Sequence, residues 1–111
     1  MLACLTTVWH VVIFANMGAP LIYQHRVDFD DGAILEIVVW RLPTPVAGCS
    51  HPFKYRLFYG RPGQREIGYD NERQKGDHRH HNDIEEAYAF ESPEKLIDDF
   101  LAEVTDRRAR S

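Results

Sequence analysis

A chain of 111 residues encloses one small hydrophobic core and leaves no room for a second domain. Its composition, 44% hydrophobic and 27% charged, is that of a folded globular protein and excludes a disordered chain. A formal net charge of -4 excludes a polycation that coats nucleic acid with its whole surface.

The two cysteines, Cys4 and Cys49, supply neither a disulfide framework nor a zinc ligand set, which fits a reducing cytoplasm. Residues 1–23 contain no Asp, Glu, Lys or Arg. This apolar run lacks the basic opening of a signal peptide, and Thr6, Thr7, His10 and Asn16 interrupt it, so it fits a spanning helix poorly. The expectation is that residues 1–16 are an N-terminal extension or a start-site overcall, with translation starting at Met17 and residues 17–111 forming one domain. The competing reading is an extra edge strand over residues 8–14, which are β-branched enough to pair.

Residues 21–28 alternate as a strand. Asp30-Asp31-Gly32 is a turn signal. Residues 33–41 follow as the most apolar strand, with apolar side chains on both faces except at Glu36, which places it centrally. Three prolines and a glycine make residues 42–52 a stiffened loop. In the strand over 53–59, Phe53, Tyr55, Leu57 and Tyr59 form an aromatic face while Lys54 and Arg56 point the other way. Gly60-Arg61-Pro62-Gly63 turns the chain into a strand over 64–70. The polar residues 71–83 are expected to leave the sheet, and 87–90 to form a short strand. Ser92, Pro93 and Glu94 carry helix-start chemistry, and Leu96, Ile97, Phe100, Leu101 and Val104 make one apolar helical stripe. The chain therefore reads as α+β: a small antiparallel sheet of four to five strands with a C-terminal amphipathic helix packed on one face.

Charge is uneven along the chain. Residues 54–81 carry seven basic against four acidic side chains, and residues 82–111 carry four against nine. Inside the basic part, Asp77-His78-Arg79-His80-His81 places His78 and His80 on one side if extended. Two imidazoles that titrate near neutrality suit general acid and base, the pair that RNA cleavage without metal or other cofactor requires. Lys54, Arg56, Arg73 and Lys75 are then the cations that hold phosphate, and Asp70 or Glu72 orients a histidine. Tyr69 is placed to stack on a base or donate a proton. The same histidines equally serve to order an exposed loop. A weaker reading is a zinc or manganese site from the His-x-His with Asp77 and Asp83, which lacks a third anchor unless His51 or His25 folds onto it.

The segments Asp31-Gly32-Ala33, Val39-Trp40-Arg41-Leu42-Pro43, His51-Pro52-Phe53-Lys54-Tyr55-Arg56-Leu57, Gly68-Tyr69-Asp70-Asn71-Glu72-Arg73 and Lys75-Gly76-Asp77-His78-Arg79-His80 together resemble the TumE family over about residues 17–105. Gln74, where the pattern expects glycine, and the N-terminal extension depart from it. The resemblance implies the toxin component of a toxin–antitoxin module, with a cognate helix-turn-helix DNA-binding antitoxin as partner. It does not fix the reaction. The sequence thus leads to a toxin acting on RNA through paired histidines, with RNA as a second partner and no membrane. The alternative is a non-catalytic binding toxin or a subunit of a repressor complex.

Overall fold

The computed structural model describes residues 7–8, 21–71 and 76–110. Strands β1 (Thr7–Val8), β2 (Leu21–Asp28), β3 (Ile34–Arg41), β4 (Phe53–Arg61), β5 (Gln64–Asp70), β6 (His78–His81) and β7 (Ile84–Ala87) form one sheet in chain order, and helix α1 (Pro93–Ala109) follows. Every neighbouring pair is antiparallel, so the sheet is a meander.

The α+β class and the C-terminal helix stand as expected, but the strand number does not. Six strands of four or more residues and the two-residue β1 replace the expected four to five. The difference lies in residues 78–87: the polar residues 71–83 are expected to leave the sheet, yet 78–81 pair within it and 84–87 follow as a further strand. They form a hairpin on the edge of β5 instead, turning at Asn82-Asp83 with Asn82 at φ 58. Asparagine tolerates that left-handed backbone. Polar cross-strand pairs, the oppositely charged Arg79 with Glu86 and the imidazole of His80 with Glu85, take the place of apolar pairs. The strand expected over 87–90 gives way to β7; Tyr88 and Phe90 pack irregularly against the core. Of residues 8–14 only Val8 is described, so that alternative and the extension at 1–16 lie almost wholly outside the described residues.

Strand alternation sorts side chains onto two faces. Leu35, Ile37, Val39, Tyr55, Leu57, Tyr59, Ile67 and Tyr69 face the helix and are buried against Leu96, Phe100 and Val104. At about 1.5–3 kcal/mol for each large apolar side chain fully buried, this inner face is the main source of stability. Ser92 accepts from Lys95 N at 3.1 Å and Pro93 starts α1, as the sequence predicts. The other end of the helix is closed by Arg108, which lies 3.7 Å over the Phe29 ring, donates to the Tyr59 hydroxyl at 2.9 Å and meets Asp31 at 3.3 Å. No helix among the described residues is long and apolar enough to cross a membrane.

Candidate functional site

The outer face of the sheet carries the polar side chains. Register places Arg56 opposite Asp70, and Asp70 opposite His78, so the three form one row across β4, β5 and β6. His80 lies two residues along β6 from His78, on the same face, opposite Gly68 and Glu85. Lys54 lies two residues from Arg56, also on this face. The cationic strand and both imidazoles therefore share one side of the sheet. Arg56 is largely exposed and its guanidinium reaches Glu36 at 3.5 Å.

At the β6 end of the row, His78 is buried, and its Nδ1 lies 3.1 Å from the carbonyl oxygen of Gly76. A carbonyl only accepts, so Nδ1 carries the hydrogen. The opposite nitrogen, Nε2, is 2.6 Å from Asp70 Oδ1 and 3.2 Å from Glu85 Oε2. Neither His78 Nε2 nor Asp70 Oδ1 makes a hydrogen bond, although both are buried. The His80 ring meets His78 edge-on, with centroids 5.0 Å apart, and its Nε2 lies 3.9 Å from Glu85 Oε2. Burial lowers the His80 pKa, and the charge of Arg65 lowers it further; Asp70 and Glu85 oppose the shift. Neutral imidazole is thereby favoured.

A second polar cluster sits behind the first, at the inner side. Asp77 and His78 are adjacent, so their side chains leave the backbone in opposite directions. The Asp77 carboxylate accepts from the Tyr55 hydroxyl at 2.5 Å and lies 2.8 Å from His51 Nε2. His51 Nδ1 accepts from Phe53 N at 3.2 Å, so the ring hydrogen is on Nε2 and points at Asp77. The His51 ring stacks on Phe90 with centroids 3.7 Å apart. Fully buried Asn71 completes the network: its Oδ1 accepts from Tyr55 N at 3.0 Å and its Nδ2 donates to the Phe53 carbonyl at 2.7 Å, continuing the β4 hydrogen-bond pattern past the end of β5. Nδ2 also reaches Cys49 Sγ at 3.7 Å. Burial, more than any other cause, raises the Cys49 thiol pKa, so it is not an activated nucleophile.

Of the sequence-predicted residues, His78, His80, Asp70, Arg56 and Lys54 are brought to one face. Tyr69 is not, and its expected stacking or proton-donating role is corrected. It sits on the opposite face with no exposed surface, packs edge-on against Tyr88 and Phe100, and donates to Glu103 at 2.7 Å. Burial first, and then that bond, push its hydroxyl pKa up. Glu72, Arg73, Lys75 and Gln74 lie outside the described residues. Asp77 belongs to the inner network rather than a metal set with His80, Asp83 is exposed in the β6–β7 turn, and His25 pairs in register with Ile37 on the inner face. Sequence reasoning missed Glu85, Asn71 and Tyr55. Glu85 stands three residues beyond the Asn82 turn signal, and a hairpin read there would have put it beside His80.

The family model described as Toxin TumE matches residues 12–108. No curated protein matches, and no solved structure matches.

Proposed function

The chain belongs to the Toxin TumE family, and on that premise we propose that it inhibits growth by cleaving RNA on the outer face of its sheet, held in check by a cognate antitoxin. One observation carries the choice of RNA: the cross-strand row Arg56–Asp70–His78, with His80 beside it and Lys54 at its end. Cations that face solvent are suited to a phosphate backbone, and clustered imidazole and carboxylate beside them are suited to work on the phosphodiester bond. His80 is the imidazole with its ring partly open to solvent, whereas His78 has Nδ1 committed to Gly76 and Nε2 2.6 Å from Asp70. The geometry therefore favours His78 as a held group and His80 as the more open of the two, in place of symmetrical proton exchange between them.

The test is purified full-length protein with labelled single-stranded RNA, with and without divalent metal, beside expression of the same variants in cells. Cleavage by the wild type that is lost on His80→Ala, together with loss of toxicity, is the expected result. RNA left intact under every condition removes the nuclease reading. The second reading, a toxin that acts by binding alone, is favoured by the outer edge of β7, where Ile84, Glu85, Glu86 and Ala87 are all exposed and no further described strand pairs. A folded His78→Ala, His80→Ala double variant that stays toxic selects it.

A further inference from the structure

We propose that Asp70, His78 and His80 bind one divalent transition-metal ion of the zinc class, with Glu85 beside the remaining coordination position. The three residues each offer one ligand atom, and these atoms all lie within 4.8 Å of one another. His78 is 4% exposed, and its Nε2 lies within the cluster without a hydrogen bond; Asp70 Oδ1 beside it is equally without one. A buried polar atom left unsatisfied destabilises the fold unless something pairs with it. With the ring hydrogen on Nδ1, the unprotonated Nε2 lies 2.6 Å from a carboxylate oxygen. Two electron-rich atoms repel at that distance, and a cation that both can ligate removes the repulsion. An imidazole whose other nitrogen is tied to a backbone carbonyl is also the usual orientation of a metal-bound histidine.

The donor set selects the kind of ion. Two imidazoles and a carboxylate suit zinc, cobalt or iron, whereas calcium and magnesium prefer all-oxygen shells. Ligand atoms about 2.0–2.1 Å from a tetrahedral ion lie roughly 3.3 Å apart, so Nε2 and Oδ1 need to separate by less than about 1 Å. Glu85 Oε2, 3.2 Å from His78 Nε2 and 3.9 Å from His80 Nε2, is already near the position of a fourth ligand. The neighbouring group Cys49, His51 and Asp77 is equally compact but is committed elsewhere: the His51 hydrogen points at Asp77, and Asp77 also accepts from Tyr55. The competitor is a proton on His78 Nε2, which would satisfy the same pair without any ion.

The site stands on geometry alone; that the ion takes part in catalysis rests on the RNA reading above. The experiment is zinc uptake by chelator-dialysed, full-length protein, followed by calorimetry, with cobalt substitution read from its visible absorption. One ion per chain is expected. His80→Ala and Asp70→Asn, both checked for native circular dichroism, are expected to weaken uptake by more than about tenfold, since even outer-shell changes cost 10–100-fold. Cys49→Ser is expected to leave it unchanged. No saturable uptake by the wild type, wild-type affinity in His80→Ala, or loss confined to Cys49→Ser overturns the proposal. Zinc bound as stated without any RNA cleavage keeps the site and removes the RNA reading; cleavage in chelator by protein that takes up no zinc does the reverse.

Discussion

The Tyr55 hydroxyl donates to the Asp77 carboxylate at 2.5 Å, joining the buried face of a central strand to the residue that immediately precedes His78. With the His51 contact to the same oxygen, this bond fixes where the polar hairpin leaves the core and hence where His78 meets Asp70.

Tyr55→Phe keeps the ring but deletes the donor, leaving a largely buried carboxylate with one partner fewer. Hydrogen bonds to charged groups contribute about 1.5–3 kcal/mol, and a loss in that range is expected in urea unfolding. A change below a few tenths would mean that the network does not anchor the hairpin.

Gly76 has φ +73, and an added Cβ would lie 3.4 Å from the Gly48 carbonyl oxygen. Its own carbonyl holds His78 Nδ1. Left-handed backbone costs a residue with a Cβ roughly 1–2 kcal/mol, so Gly76→Ala is expected to lose that much stability. RNA cleavage should fall more steeply than stability, because the carbonyl that sets the His78 tautomer moves with the backbone. Unfolding curves and cleavage rates measured on the same preparation compare the two.

Arg56 faces solvent in the row with Asp70 and His78, and its partner Glu36 is partly exposed. Arg56→Ala is expected to weaken RNA binding irrespective of sequence and to leave stability nearly unchanged. For a single strand each lost phosphate contact lowers the slope of log affinity against log salt by about 0.7, which a salt titration reads directly. An unchanged slope would take Arg56 out of the phosphate contacts.

Tyr69→Phe separates the two faces. The hydroxyl bonds Glu103 on the helix side, so stability should drop by about 1 kcal/mol while the rate of RNA cleavage stays at the wild-type value. A large loss of rate in a protein of near-native stability would return Tyr69 to the site.

Asp99 ties α1 to the segment after β7: its Oδ2 accepts from Tyr88 at 2.6 Å, and Lys95 pairs with it at 3.0 Å. The Tyr88 bond first, then Lys95, lower its pKa below the ordinary value of 3.8. A depressed carboxylate stabilises the fold above its unfolded pKa, and that contribution disappears as pH falls through the folded one. The stability gap between wild type and Asp99→Asn is therefore expected to be constant from neutral pH to about pH 5 and to close below the ordinary carboxylate range. Chemical unfolding across that interval measures it.

Alternation and capping made β2 to β5 and α1 legible from the chain, since apolar periodicity is set locally and burial follows it. Parity likewise put Lys54 and Arg56 on one face of their strand and His78 beside His80, but that the two pairs share a face with Asp70 came only from the pairing of β6 to β5. The β6–β7 hairpin was not, because its strands carry no apolar stripe and are held by pairing to β5 and by opposite charges across the ladder. Tyr69 was misassigned because its neighbours in sequence are site residues, while its parity in the strand places it on the helix side.

By itself the sequence determined the α+β class, the strand faces, the helix start and the residue types gathered for chemistry. Tertiary structure alone decided that Asp70, and not Asp77, stands against His78, that Glu85 joins them, and that Asp77 turns inward to Tyr55. Those contacts depend on register between strands and on a turn at Asn82, and register is a property of paired backbones that no single stretch of residues carries.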